Sequence, residues 1–465
     1  MAANSFSEFF LSWMPERQLL RRPCYLSLAN ALESDIVSGK LAPGTKLPPQ
    51  RELADFLGIN FTTVTQAYNL CREKRLIYGI VGRGTFVSPL PGTYTPGKTG
   101  IGSQVIELGL VSGFDKLRAP VIEASESVLK KGYINELYSY TEPAGHLHQR
   151  AAGAHWMKQM DVCTDSEHTA VFSGAQNVIS ATLLSLFRIG DRLAVDEYTY
   201  SNLIGTAHLS HIRLEPVPGD ADGMIPEELE KVCKRFPVRG IFLMPNCANP
   251  TTRTIPERRK DELSEIIAQN QLILIEDDNT GVISPALNSY RSFFSRLPDQ
   301  TIYICNSTMA ICSGLRVAFA AFPEVFRERL LNALFHLNIK TSSLDAEIMT
   351  ELILSGKAVK ILHEKSQLAR QRNQIFDRIF PDAVQPGTPG AFFRWLPLPE
   401  LAVRGMELEQ KLLKNNVSVY SSHRFTVMRN PGDFLRIAIS SAESNEDLHQ
   451  ALLTVREFIH QYTVN

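Results

Sequence analysis

Among its 465 residues the chain has no C-x-x-C pair: its seven cysteines (Cys24, Cys71, Cys163, Cys233, Cys247, Cys305, Cys312) are scattered singly. That spacing argues against a zinc ribbon and a disulfide framework and predicts no metal, and reduced thiols fit a cytoplasmic protein. No apolar run approaches the length of a membrane span, and the stretch MAANSFSEFFLSWMPERQLLRR has no basic segment ahead of its apolar residues, with Glu8 interrupting them, so it reads poorly as a signal peptide. An excess of one charge is also missing, since 48 Lys and Arg face 49 Asp and Glu. Only locally is there a bias: residues 1–90 hold ten Lys and Arg against seven Asp and Glu, or +3, which leaves −4 for the remainder of a chain of net charge −1. At 44% hydrophobic and 21% charged, the composition is that of an ordinary globular protein. The length exceeds what one core accommodates, so two or three domains are expected.

What is present begins with a compact N-terminal module. Leu28, Ala31, Leu32 and Ile36 fall on one face of a helix over Tyr25–Val37, which Gly39 is placed to end. The proline-rich LAPGTKLPPQ is a turn, and RELADFLG then puts Leu53, Phe56 and Leu57 on one face before Gly58. Asn60 is a suitable cap for a third helix carrying the stripe Val64, Ala67, Tyr68, Cys71, with Thr62, Thr63, Thr65 and Gln66 polar. LIYGIVGRGTFV reads as a β-hairpin with Gly82-Arg83-Gly84 at its tip. A helix starting in short polar side chains suits the major groove, and an arginine on a narrow hairpin suits the minor groove or phosphates.

Residues 88–104, SPLPGTYTPGKTGIGSQ, hold three prolines and four glycines and read as a connector. Beyond it, the buried-strand runs TAVF, RLAVD, GIFLMP, LILIEDD, TIYICN and LRVAFAAF alternate with helical stretches, an α/β pattern with a mostly parallel sheet. Ligands collect at the carboxyl ends of such strands. There stand Ser173-Gly174-Ala175 opening a helix that can hold a phosphate, Asn249-Pro250-Thr251, Asp277-Asp278 and Asn306-Ser307-Thr308-Met309, with Arg316 seven residues on.

The string from GKLAPGTKLPPQRELADFLGINFTTVTQAY to RLIYGIVGRGTFV resembles the winged helix-turn-helix domain of the GntR family. That resemblance implies DNA contacts from Lys46, Arg51, Thr62, Thr63, Thr65 and Arg83. Residues 105–460 resemble fold type I aminotransferases, which use pyridoxal phosphate. The similarity rests on the strand-end residues, on Tyr140-Thr141-Glu142-Pro143-Ala144-Gly145, and on Tyr200 after Asp196-Glu197. By that resemblance Ser173, Gly174, Ala175, Asn306, Thr308 and Arg316 hold the phosphate, Tyr200 stacks on the ring, Asp277 pairs with its nitrogen and Asn249 bonds its oxygen. Arg436 binds an amino-acid carboxylate by the same likeness. The pairing of the two modules is that of MocR-type regulators. It implies a winged helix-turn-helix domain over 1–87 (core 21–87), a linker over 88–104 and a ligand-binding aminotransferase-like domain over 105–465. Double-stranded DNA, a small-molecule effector and a second copy of the chain are the implied partners, with no membrane.

Three departures break the pattern, among them the phosphate-facing Ser-x-Ser, altered here to Asn306-x-Thr308. The lysine that forms a Schiff base in the family is replaced by Met309 within Asn306–Arg316, and no lysine occurs between Lys260 and Lys340. Asn279 stands where such regulators usually carry a tyrosine that supports the ring oxygen. The expectation is a regulator that is not an enzyme and takes pyridoxal phosphate, if at all, without a covalent bond. The alternatives are a pocket suited to another anion, a working aminotransferase with an appended DNA-binding module, and a scaffold that uses the winged fold for protein contacts.

Overall fold

The structure, a computed structural model, describes residues 11–37, 40–41, 45–73, 76–80, 84–87, 105–114, 116–278, 291–383, 390–428 and 432–464. The chain divides into two compact units, Met1–Val105 and Ile106–Asn465. In the first unit, α1 (Cys24–Val37), α2 (Gln50–Leu57) and α3 (Phe61–Glu73) precede β1 (Ile77–Ile80), which pairs antiparallel with β2 (Gly84–Val87). The expected apolar stripes meet in one core of Leu28, Leu32, Ile36, Leu53, Leu57, Val64, Tyr68 and Cys71. Gly58 ends α2 at φ +60°, a conformation open to glycine at little cost. Asn60 caps α3, its Oδ1 accepting the Thr62 amide at 2.9 Å. Two details differ from expectation. Gly84 lies in β2, paired with Ile80, rather than at the hairpin tip, while Gly39, Gly82 and Arg83 lie outside the described residues. Trp13, ahead of the expected core, is buried, and its indole donates to Asp35 at 2.9 Å.

The second unit runs β3 (Ile106–Glu107), α4 (Ala119–Leu129), α5 (Ile134–Leu137), α6 (Leu147–Met157), β4 (Thr169–Phe172), α7 (Ala175–Leu186), β5 (Arg192–Asp196), α8 (Ser201–Leu209) and β6 (Arg213–Val217). There follow β7 (Gly219–Asp220), β8 (Gly223–Met224), α9 (Pro226–Arg235), β9 (Val238–Leu243), α10 (Glu257–Gln269), β10 (Ile273–Asp278), α11 (Phe293–Arg296), β11 (Thr301–Asn306), α12 (Ser307–Ala310) and β12 (Ala318–Ala321). The last stretch is α13 (Glu324–Asn338), α14 (Ser343–Leu354), α15 (Lys357–Ile379), β13 (Arg394–Pro397), α16 (Gly405–Lys414), β14 (Val417–Ser418), β15 (Tyr420–Ser421), β16 (Phe434–Ile437) and α17 (Asn445–Tyr462).

Seven strands form the main sheet in the order β4-β12-β11-β10-β9-β5-β6, with β12 antiparallel to both neighbours and the other pairings parallel. Strand alternation splits its side chains between two cores. Ala170, Phe172, Ile302 and Ile304 pack with α7, whereas Val171, Tyr303 and Cys305 pack with residues of α4, α6 and α14. A smaller antiparallel sheet, β13-β16-β15, forms a third core with α16 and α17. On the α14 side, Glu347 is a buried ionic node. It accepts from Tyr133 (2.6 Å), Gln149 (3.0 Å) and Lys131 (3.1 Å) and meets His148 at 2.6 Å.

Candidate functional site

Four strand ends converge on one place. After β4, Gly174 adopts φ +83° and ψ 166° and opens α7, so the helix's first amides face the end of the sheet. Arg316, itself at φ +51°, lays its guanidinium over this glycine: a Cβ there would stand 2.7 Å from Nη2, closer than any real contact. A helix N-terminus and an arginine thus share one small space, an arrangement that binds phosphate. Ser173 beside it accepts from Asn338 Nδ2 at 2.8 Å and bonds Thr341 at 3.3 Å.

Parity sets the next residue. Ile273 and Ile275 of β10 face the α7 side, so Asp277, two residues on, emerges on that same side as Tyr200, and it is fully buried. Burial pushes the Tyr200 phenol above its ordinary pKa and the Asp277 charge adds to this, while Arg316, a hydrogen bond from Asn202 and Arg436 oppose it. The charges of Asp277, Arg316 and Arg436 thus all act on this one tyrosine. Asp278 points the other way and is held by Tyr303 (2.9 Å) and Asn246 (3.1 Å).

Arg436, on β16, closes the pocket from the smaller sheet. It is 4% exposed, donates to Asn249 Oδ1 at 3.3 Å and to the Gly109 carbonyl, and lies among the rings of Phe425, Tyr420 and Phe393 at 5.1, 5.3 and 5.7 Å. Its Nε has no partner among the described residues, and burial pulls its pKa down to about 10. A buried guanidinium with a spare donor is suited to an incoming carboxylate.

Asn306 ends β11, and Met309 sits half-buried in the single turn of α12. Its carbonyl and that of Ile311 accept from Lys365 Nζ, at 3.0 and 2.8 Å, and Lys365 is buried on α15. Sequence reasoning missed this lysine, 56 residues away, together with Asn338, Thr341 and the aromatic cage. Thr308 lies on α12, its side chain outside the description, and Asn279 is outside the described residues.

In the first unit, Lys46 is exposed and bridges Phe86, so that residues 45–47 run beside β2, with Leu47 N to Thr85 O at 2.8 Å and Val87 N to Thr45 O at 2.9 Å. Arg51 is exposed near the start of α2, and Thr62 is exposed at the start of α3 with its hydroxyl donating to Asn60 Oδ1 at 2.9 Å. Thr63 and Thr65 are half-buried, and the Thr65 hydroxyl bonds Gln50 Oε1 at 2.8 Å. Arg83 lies outside the described residues. Among these residues no cluster of His, Cys, Asp and Glu is arranged to hold a metal, and no helix is long and apolar enough to cross a membrane.

Residues 110–454 match the family Aminotransferase class I and II, and residues 24–87 match Bacterial regulatory proteins, gntR family. The HTH-type transcriptional regulator YdeF of Bacillus subtilis is 32% identical over 470 residues, covering all of both chains. The vitamin B6 salvage pathway transcriptional repressor PtsJ of Salmonella typhimurium is 24% identical over 91% of this chain and 97% of its own. Among solved structures, an archaeal alanine:glyoxylate aminotransferase superposes with a TM-score of 0.71 at 19% identity, over 77% of this chain and 92% of that one.

Proposed function

The chain belongs to the aminotransferase class I and II family and carries a gntR-type helix-turn-helix domain ahead of that fold, as HTH-type transcriptional regulators do; on that premise we propose that it regulates transcription in response to a ligand that it binds and does not turn over. Met309 carries the reading. It stands where the sequence pattern calls for the lysine, and a thioether can neither bond to an aldehyde nor move a proton. Arg316, Tyr200, Asp277 and Arg436, groups that bind rather than react, support a pocket that holds its ligand without turning it over.

The residues fit pyridoxal phosphate. The bare Cα of Gly174 under Arg316 leaves room where a side chain would collide, and Ser173, Gly174, Ala175, Arg316, Asn306 and Thr308 would surround its phosphate; the Ser173 and Gly174 amides already donate to Asn177 Oδ1 (3.2 Å) and the Phe172 carbonyl (2.8 Å), so the helix amides offered to it would be those from Ala175 on. Tyr200 would stack on its ring, Asp277 would pair with the ring nitrogen, and Asn249 would bond the ring oxygen. Arg436, with a donor to spare, takes the carboxylate of an accompanying amino acid. When bound, the cofactor supplies an aldehyde and an electron-poor ring; this chain's residues bind and orient them without a base at position 309. Retention then rests on non-covalent contacts alone.

Ile122, Leu129, Tyr138, Tyr140 and Leu147 are 53–81% exposed. Exposed apolar side chains of this kind are suited to contact with a second copy of the chain. Two winged domains would then address two half-sites of duplex DNA through Lys46, Arg51, Thr62, Thr63, Thr65 and Arg83.

The test is a salt titration of the full-length protein against duplexes that it selects from a random-sequence pool, with mass spectrometry of any small molecule that co-purifies. Log affinity falling linearly with log salt, together with a phosphate-bearing pyridine compound released on denaturation, is expected. Failure to enrich any duplex at physiological salt would overturn the regulator reading.

A further inference from the structure

The first residue of α3 is out of keeping with its surroundings. Val64, Ala67, Tyr68 and Cys71 continue a stripe that is at most 1% exposed, yet Phe61, one turn earlier, is 42% exposed. Its neighbour is a cation: the Arg51 guanidinium stands 5.7 Å from the ring centroid. A second link braces the same place, because the Thr65 hydroxyl, one turn on, lies within reach of the Phe61 carbonyl (3.1 Å) and Gln50 Oε1 (2.8 Å). The start of α2 and the start of α3 therefore present one surface: a phenyl ring flanked by a guanidinium and an amide whose oxygen is already engaged.

When a helix-turn-helix docks on duplex DNA, the N-terminal residues of its second helix lie against base edges. The apolar feature available to a phenyl ring in the major groove is the 5-methyl group of thymine. We propose that Phe61 reads a thymine methyl in each half-site, with Arg51 and the Gln50–Thr65 pair holding the ring toward the base edge. This makes Phe61 a specificity-determining residue, and it rests on the DNA-binding reading above.

Deoxyuridine, which differs from thymidine by that methyl alone, supplies the probe. Duplexes selected by the full-length protein are resynthesised with each thymine replaced singly. At one position per half-site, loss of the methyl should weaken wild-type binding about fourfold, the worth of one buried methylene-sized group. Phe61→Ala should bind the parent duplex more weakly, be indifferent to that methyl, and keep the wild-type salt slope, since no phosphate contact is lost. Phe61→Leu should retain part of the methyl sensitivity. Circular dichroism melting of both variants separates misfolding from lost contact. A wild-type protein indifferent to every thymine methyl, or a methyl effect that survives in Phe61→Ala, would overturn the proposal while leaving DNA binding intact. Failure to select any duplex would instead remove the regulator reading, and this inference with it.

Discussion

Gly174→Ala is the substitution whose effect follows most directly from the geometry. At φ +83° and ψ 166° the backbone occupies a region almost confined to glycine, so a methyl group there costs about 1–3 kcal/mol in strain. Spread over a unit of 360 residues (106–465), whose unfolding entropy is on the order of 0.7 kcal/mol/K, that is a fall in Tm of about 1–4 °C. The larger effect should be on the ligand. The new Cβ would lie 2.7 Å from Arg316 Nη2, so the guanidinium must leave its place over the helix N-terminus. A charge-assisted hydrogen bond is worth about 1.5–3 kcal/mol, so pyridoxal phosphate affinity should drop roughly 10- to 150-fold. A double-mutant cycle isolates the cause. If Gly174→Ala acts by displacing Arg316, it adds little once Arg316→Ala is present. The assay is equilibrium titration of the four proteins, with melting curves alongside. An affinity within twofold of wild type, or losses that simply multiply, would refute the reasoning.

Met309→Lys should gain a borohydride-fixed covalent attachment of pyridoxal phosphate that peptide mapping assigns to residue 309, while the parent shows none; a folded variant without it would mean that the pocket does not take this cofactor. Incubated with pyridoxal phosphate and amino donors, the parent should show no transamination above background, and sustained turnover would make it an enzyme. Arg51→Ala should weaken duplex binding and flatten the log–log salt slope by about one per lost phosphate contact, a change absent if Arg51 only stacks on Phe61. Burial alone would push the Glu347 carboxyl up, but hydrogen bonds from Tyr133, Gln149 and His148 outweigh it and hold the pKa at about 2, below its ordinary 4.5. Its contribution to stability is therefore present above pH 4.5 and lost as pH falls toward 2. Denaturant titrations should show Glu347→Gln less stable at neutral pH and less sensitive to acid across that window.

The strands inside the main sheet were legible because they are largely buried and read as apolar runs; Thr301–Asn306 falls where the sequence puts it, and so does Thr169–Phe172 at the edge beside β12. The edge strand β6 was not. Its sequence RLEPV mixes charge with Pro216, which reads as a breaker and is tolerated because one side of an edge strand has no ladder to fill. Candidate pocket residues just past strand ends followed from the same logic, and the charges of Asp277, Arg316 and Arg436 all act on Tyr200. The groups supporting them did not: Lys365 under Met309 and Phe393 by Arg436 come from distant parts of the chain, and Tyr420 and Phe425, though near Arg436 in sequence, belong to no periodic pattern that points at it. Trp13 escaped notice because it lies ahead of any periodic segment.

The central claim is that a ligand in the aminotransferase-shaped domain alters DNA binding. Linkage makes this measurable as the ratio of duplex dissociation constants with and without saturating pyridoxal phosphate, alone and with an amino acid added, at fixed salt. The account predicts a change of at least about fivefold, the lower end of ordinary allosteric coupling, that disappears in Arg316→Ala. A duplex affinity that stays the same while pyridoxal phosphate demonstrably occupies the pocket would contradict it.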